Sequence, residues 1–359
     1  MTGDGDSRRV AQALDALRHG WAIRVASDAG EQGALDLLPA ETAYAQPGLF
    51  AARLLVSAAR AATLKLGNTR EFNPAAPVLI RGYQPFSLEA ARELADPAHD
   101  LDSPLRGPFR ADPLADADVA RAAMDLARMA GILPAFMVAT GTESAVTVTL
   151  QDLAAFRDPA ALSIQTRAHL PVAATADAEI VAFRARDDLR EHVALIIGTQ
   201  DHDRVPLVRL HSECLTGDIL GSLKCDCGPQ LDAALHAMAD EAERGGWGVL
   251  LYLRQEGRGI GLINKLRAYQ LQDQGFDTVD ANERLGLPNE ARDFPVAARM
   301  LDLLGVPAIR LMTNNPAKVD ALRGVGVEVV ERVPHELPSN PHNHRYLATK
   351  RDRSGHLLG

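Results

Sequence analysis

The sequence predicts an α/β (α+β) protein of two domains, and three observations carry that prediction. The chain has 359 residues, and at roughly 100–200 residues per domain that length suits two separate cores. From about Leu162 onward, alternating apolar runs interleave with segments of helical period, between regular Gly and Pro punctuation. Before that point the chain is Ala-rich and mainly helical in pattern. The boundary is therefore placed between residues 1–162 and 163–359, just before SIQTRAHLPVAATADAEIVAFRA.

In the first half, VAQALDALRHG reads as a helix stopped by Gly20, followed by WAIRVASD as a strand. AARLLVSAARAATLKLG has apolar residues on a helical period with Gly67 as its stop, and predicts one helix. The Pro- and Asp-rich stretch from Asp96, DPAHDLDSPLRGPFRADPLADAD, predicts a long loop, and DVARAAMDLARMAGILP returns to helix. In the second half HVALIIG and VPLVRLHS predict strands, and GPQLDAALHAMADEAERGG an amphipathic helix closed by glycines. WGVLLYLRQEG predicts a buried strand running into a turn. INKLRAYQLQDQG and FPVAARMLDLLGV predict helices, and AIRLMTNNP a short strand into a turn. The polar tail ELPSNPHNHRYLATKRDRSGHLLG is expected to be irregular.

Composition narrows the function classes. Hydrophobic residues make up 47% and charged ones 24%, which excludes a fibrous or wholly disordered chain. Thirty-eight basic against forty-seven acidic residues leave a net charge of −9. That sign argues against nucleic acid as a partner, because non-specific binding needs basic surface. An anionic small substrate remains compatible, since a local Arg/Lys cluster can oppose the global sign. No run of 18 apolar residues occurs, so no membrane partner is expected. The N-terminal residues lack an apolar core of signal-peptide length, and a cytoplasmic location is expected. In a reducing compartment, three cysteines do not form a disulfide framework.

All three cysteines, Cys214, Cys225 and Cys227, fall in the 14-residue segment CLTGDILGSLKCDC. Thiolates suit zinc, and three protein ligands leave the fourth tetrahedral position to water, the arrangement of a catalytic site. A closed structural site is the other reading, with His211 as fourth ligand. The neighbouring residues bear on the choice. RLHSEC places Arg209, His211, Ser212 and Glu213 before the first cysteine. RQEGRGIG sets Glu256 and Arg258 among glycines, and TNNPAK offers Thr313 and Lys318 where a helix N-terminus can face a phosphate. Alone, each motif reads as an ordinary turn, and Arg258 or Lys318 as a solvated charge. Together they supply metal-activated water and several cations, which hydrolysis of a nucleotide requires.

RLHSECLTGDILGSLKCDCGPQL, YLRQEGRGIGLINKLRAYQLQDQGFDTVDAN, LGLPNEARDF and LMTNNPAK together resemble GTP cyclohydrolase II, in order from about Ser163 to Gly359. The resemblance implies one catalytic zinc per chain on Cys214, Cys225 and Cys227. It implies nucleotide contacts from Arg209, Leu210, His211, Ser212, Glu213 and Gln230, and then from Glu256, Gly257, Arg258, Thr278, Thr313 and Lys318. Arg292, in the RDF segment, matches the family's proposed nucleophile toward the α-phosphate. A guanidinium stays charged and is a poor nucleophile, so an electrostatic role for Arg292 stands beside that one. The family's acid/base Asp, two residues earlier, is here Glu290, which keeps the carboxylate but adds a methylene of reach. Tyr269 matches the Tyr whose replacement in some relatives goes with stopping at a formamidopyrimidine.

The implied reaction opens the guanine imidazole ring at C8, releases formate, and cleaves at the α-phosphate to release pyrophosphate, with Mg²⁺ on the GTP phosphates. Its product is 2,5-diamino-6-(5-phosphoribosylamino)pyrimidin-4(3H)-one, the first step of riboflavin biosynthesis. A homodimer is the expected assembly. Two other outcomes stay open: a paralogue giving a formamidopyrimidine or acting in pyrimidine catabolism, and a non-catalytic nucleotide-binding regulator, which Glu290 favours.

The first half resembles 3,4-dihydroxy-2-butanone 4-phosphate synthase, through RHGWAIRVASD and AAMDLARMAGILPA. That family's Arg-Glu-Asn-Glu-Gly-Asp falls on Glu31-Gln32-Gly33-Ala34-Leu35-Asp36, so Gln32 replaces the key Glu that a Mg²⁺ site needs. Its His-Thr-Glu falls on Val119-Ala120-Arg121, which removes a proton-transfer His and a metal carboxylate. The expectation is a non-catalytic scaffold, with an unrelated helical cap as the alternative.

Overall fold

The structure, a computed structural model, describes residues 5–46, 48–67, 71–101, 107–138 and 143–357. The backbone is mixed α/β and divides into two compact units. The first comprises Met1–Asp158 and Gly259–Ala291, the second Pro159–Arg258 and Arg292–Gly359.

The first unit opens with α1 (Ser7–Arg18), whose N-cap Asp6 accepts the Arg8 amide. Then follow β1 (Ile23–Ser27), β2 (Gly30–Pro39), β3 (Phe50–Ala51), β4 (Leu54–Val56), α2 (Ala58–Thr63), β5 (Val78–Arg81), β6 (Phe86–Ser87) and α3 (Leu88–Ala95). The unit continues with β7 (Arg110–Asp112), α4 (Ala117–Ala130), β8 (Ala135–Val138), β9 (Thr147–Thr149) and α5 (Leu150–Arg157). Its seven-stranded sheet runs β7-β5-β4-β8-β2-β1-β9. Apolar side chains cover both of its faces: α1 and α4 pack Leu17, Val119 and Leu126 around Ile23 and Phe136.

Two expectations need correction here, and one strand was not expected. Residues 51–67, expected as one helix, are the strand β4 and the helix α2. Ser57 caps α2 by accepting the Arg60 amide, while Leu54–Val56 pair with both β5 and β8. The loop expected from Asp96 contains a 3₁₀ turn, Pro97–His99, and the strand β7, with 102–106 outside the described residues. The strand β2 was not anticipated, because its half-exposed first residues lack regular alternation.

The second unit begins with β10 (Leu162–His169), β11 (Ala178–Ala185) and β12 (Glu191–Ile197), an antiparallel meander. It continues through β13 (Leu207–Ser212), α6 (Cys227–Glu243), β14 (Gly248–Leu253) and the turn α7 (Glu256–Gly259). The chain then leaves for the first unit as α8 (Leu262–Asp273) and α9 (Thr278–Arg284). It returns as α10 (Phe294–Leu303), β15 (Ala308–Met312), α11 (Pro316–Gly324), β16 (Glu328–Val333) and α12 (His344–Ser354). α12 lies in the tail expected to be irregular. Its Lys350 is held by an ion pair with Asp226 at 2.8 Å, a long-range contact that no local pattern announces.

The sheet of this unit has the order β10-β11-β12-β14-β13-β15-β16, antiparallel up to β14 and parallel from β14 to β16. β13, α6 and β14 form one crossover, and β15, α11 and β16 another. Val208, Leu251 and Ile309 of the parallel strands sit in one buried cluster with Met300 and Leu322. In such sheets the strand ends at the carboxyl edge carry the loops that bind ligands.

The excursion 259–291 belongs to the first unit because its apolar residues complete a core there. Ala268, Leu271, Ala281, Leu285 and Leu287 are buried in one cluster with Val56, Ile80 and Met137. An ion pair, Arg267 Nη2 to Glu41 Oε1 at 2.9 Å, adds a polar link within that unit. No helix among the described residues is long and apolar enough to cross a membrane.

Candidate active site

Three parallel strands of the second unit end at one edge, and each hands over to a motif. β13 ends at Ser212 and passes into Glu213 and Cys214, β14 ends at Leu253 before Glu256–Arg258, and β15 ends at Met312 before Thr313. The sulfurs of Cys214, Cys225 and Cys227 lie within 4.8 Å of one another, with Cys214 and Cys225 at 3.7 Å. A single π-turn, Leu215–Ile219, folds the loop back so that the sulfurs converge. Gly217 is required there, since a Cβ would sit 2.9 Å from the Cys225 sulfur and 3.0 Å from that of Cys214.

The donor set fits zinc. Crowding by Cys214 and Cys225 pushes the Cys227 thiol well up, and Cys214 raises that of Cys225. Full ionisation of such a trio needs a cation among the sulfurs, and three thiolates are a soft, zinc-preferring set. Cys227 is also the first residue of α6, where the helix dipole favours negative charge. Among the described residues no His, Asp or Glu joins the trio. His211 is engaged elsewhere: its Nε2 donates to Asp218 Oδ1 at 3.1 Å. His211 stands outside that cluster, so it is not the fourth ligand that the closed-site reading requires.

Asp218 organises this side of the site. It accepts from His211, from the Cys214 amide at 3.0 Å and from the Tyr252 hydroxyl at 2.8 Å. The His211 and Tyr252 rings stack with centroids 5.6 Å apart. Burial holds the His211 imidazole below its ordinary pKa despite Asp218, so the ring is neutral at pH 7. Its Nδ1 is buried without a hydrogen-bond partner, as is Arg209 Nε. Orphaned buried polar atoms at a strand edge are expected where a ligand completes the bonding.

Arg209 is buried, and burial pushes its pKa down to about 10. It donates to the Met312 carbonyl at 3.1 Å and to Gln230 Oε1 at 2.5 Å. Gln230 in turn donates to Asp226 Oδ2 at 2.7 Å. Lys318 is buried in the first turn of α11, its ammonium 3.2 Å from the Leu210 carbonyl. Thr313 is buried, and its hydroxyl accepts the Asn315 amide. Glu213 pairs with Arg254 at 2.9 Å, and Ser212 is half-buried.

Glu256 spans the cysteine loop and its own turn. One carboxylate oxygen accepts the Leu215 amide at 2.7 Å, the other the Gly257 amide at 2.9 Å. Gly257 and Arg258 both have φ near 63°, in the left-handed region. For a non-glycine residue that conformation is sparse and collects at functional positions. Arg292 stacks its guanidinium over Phe294, 5.6 Å from the ring centre.

The structure thus gathers Arg209, Leu210, His211, Ser212, Glu213, Gln230, Glu256, Gly257, Arg258, Arg292, Thr313, Lys318 and the three cysteines in the second unit. Tyr269, Thr278 and Glu290 are in the first. Tyr269 lies half-buried on α8 with the Lys265 ammonium 5.8 Å from its ring, Thr278 opens α9 and accepts from Gln272, and Glu290 is exposed. Sequence reasoning missed Asp218, Tyr252, Asp226 and Lys350. Asp218 and Asp226 stand inside the cysteine motif, where a carboxylate beside a metal ligand was a signal; Tyr252 and Lys350 carry none.

In the first unit Glu31 and Asp36 both pair with Arg24, at 2.5 and 3.2 Å, and Val119 and Ala120 are fully buried.

A family model described as GTP cyclohydrolase II matches residues 163–334. GTP cyclohydrolase-2 of Azotobacter vinelandii is 63% identical over 170 residues, 47% of this chain and 80% of that protein. Riboflavin biosynthesis protein RibBA of Salinispora tropica is 49% identical over 259 residues, 66% of this chain and 64% of that protein. GTP cyclohydrolase-2 of Azospirillum brasilense is 41% identical over 370 residues, 98% of this chain and 94% of that protein. A match of that identity along nearly both whole chains shows that the chain belongs to the GTP cyclohydrolase II family of enzymes.

Proposed function

We propose that the protein hydrolyses GTP to 2,5-diamino-6-(5-phosphoribosylamino)pyrimidin-4(3H)-one, with release of formate and pyrophosphate, as the first step of riboflavin biosynthesis. The observation that carries this reading is the convergence of Cys214, Cys225 and Cys227 beside buried Arg209, His211 and Lys318 at one sheet edge. The three thiolates would hold a zinc ion, which when bound would supply a Lewis acid able to make water nucleophilic near pH 7. Around it, Asp218 fixes the His211 ring as the Nε2–H tautomer, which leaves Nδ1 as a buried acceptor for a substrate or water proton. Arg258, Arg292 and Lys318 offer positive charge to the phosphates and to the departing pyrophosphate, where Mg²⁺ would supply further charge neutralisation. Arg292 acts there through charge, since its guanidinium does not deprotonate. Glu290 carries the proton that the family's Asp carries.

The first half, residues 1–162, is proposed as a non-catalytic scaffold of synthase type. The Arg24 guanidinium paired with Asp36, the one carboxylate of that motif kept in its family place, supports this. Val119 and Ala120 support it too, being core residues without a functional group. A cytoplasmic homodimer is the working form on this reading.

The test is incubation of the purified full-length protein with GTP, Zn²⁺ and Mg²⁺, followed by mass spectrometry and by formate and pyrophosphate assays. The diamino product is expected, and Tyr269 speaks for completion. Accumulation of a formamidopyrimidine contradicts the product assignment, and unchanged GTP leaves the regulator that Glu290 favours. Ribulose 5-phosphate, given to the same protein, is expected to be recovered intact.

A further inference from the structure

The C-terminal segment is the part of the second unit that no site motif covers, yet it is tied to the site at both ends. Lys350 of α12 donates to Asp226 Oδ1 at 2.8 Å, and Asp226 stands between two of the cysteines. Both partners are nearly buried, with side chains 12% and 9% exposed. The Tyr346 ring packs 4.4 Å from the same ammonium. Beyond α12, Gly355 turns the chain through a left-handed C-cap, and the Leu357 amide donates to the Asn314 carbonyl at 2.8 Å. Asn314 belongs to the TNNP turn that precedes Lys318.

These two anchors place His356 inward. Its backbone amide is used by the Lys350 carbonyl at 3.2 Å, but its ring Nδ1 is buried with no hydrogen-bond partner. The charges acting most strongly on that ring are all cations: Lys350, Arg258, Lys318 and Arg292. After burial, they are what pushes the imidazole down to about 4, so it is neutral at pH 7. A polar ring atom left unpaired among cations is energetically costly until an anion arrives with acceptor oxygens. A neutral imidazole has one N–H for such an oxygen and adds no further positive charge.

We propose that His356 is a substrate-contacting residue at the phosphate end of the site, donating a ring N–H to a phosphate oxygen held by Arg258, Arg292 and Lys318. The Lys350–Asp226 and Leu357–Asn314 contacts make the C-terminal segment a wall of that subsite. This deepens the GTP reading and rests on it for the identity of the anion.

The test is calorimetric titration of the zinc-loaded full-length protein with inorganic pyrophosphate and Mg²⁺, in the parent, His356→Ala and His356→Gln. Zinc content and circular dichroism check that each variant is intact. The parent should bind pyrophosphate. His356→Ala should bind about tenfold more weakly, the loss of one hydrogen bond to a charged group. His356→Gln, which retains an N–H of similar reach, should recover most of the affinity. Guanosine, lacking phosphates, should bind parent and His356→Ala equally. Parent-like pyrophosphate affinity in His356→Ala, or no pyrophosphate binding by the parent, overturns the proposal. If the pyrophosphate pattern holds while GTP is not hydrolysed, the subsite stands and the GTP reading alone falls.

Discussion

Asp218 accepts the Nε2–H of His211 at 3.1 Å inside a region where the two side chains are only 2% and 3% exposed. The same carboxylate holds the amide of Cys214, one of the clustered cysteines, and the hydroxyl of Tyr252, so three donors converge on it. A group of this kind fixes both a ring tautomer and a ligand's direction.

Asp218→Asn should therefore cost far more than its change in size suggests. The amide keeps one acceptor oxygen and turns an NH₂ group toward His211 or the Cys214 amide. Loss of partners that orient metal-site residues typically costs about 10–100-fold, and kcat/KM for formate release should fall by that factor. Tyr252→Phe removes one of the three donors and should cost about tenfold or less. Parent-like turnover in Asp218→Asn shows that His211 needs no fixed tautomer.

Glu290→Gln should separate charge from shape. Zinc content should hold, and turnover should drop by about 10²–10⁴-fold, the usual contribution of a general acid–base group. Glu290→Asp should keep substantial activity or exceed the parent, since it restores the family's carboxylate. Both are read from single-turnover formate and pyrophosphate release. Equal rates for parent and Glu290→Gln remove the residue from the mechanism.

A pH effect on stability follows from His192 on β12. Its ring is 3% exposed, and its Nδ1 accepts the Arg254 amide at 3.1 Å. Burial, helped by Arg190 and Arg254 and opposed by Asp188, lowers its pKa to about 4. The unfolded chain takes up the proton near pH 6.5 and the folded one only near 4. Stability is thus complete above about pH 6.5 and declines as pH falls toward 4, by on the order of 3 kcal/mol from this residue. His192→Asn, which keeps an acceptor but does not titrate, should flatten the loss between pH 6.5 and 4 in urea unfolding. An unchanged pH slope contradicts the assignment.

The cysteine motif was legible because its chemistry is local: three cysteines, a glycine at their point of approach and the first turn of α6 all lie within a short segment. The motifs carrying Arg209, Glu256 and Lys318 were legible for a similar reason, since each lies in or directly after a short strand, of which β14 is a continuous apolar run. What sequence could not show was set by distant contacts. Residues 259–291 read as ordinary helices of the second domain, yet Leu271 and Leu285 complete the core that holds Ile80. The tail read as irregular because its helix depends on Lys350 reaching Asp226, 124 positions away.

The central claim, that three thiolates hold the zinc on which GTP ring opening depends, is tested most directly by metal titration. Full-length protein is stripped of metal, zinc is added in steps, and formate release from GTP is followed with Mg²⁺ in excess. The account predicts no formate without zinc, a linear rise that breaks at about one zinc per chain, and no recovery in Cys225→Ser. Formate released at full rate by the stripped protein, or by Cys225→Ser, contradicts it.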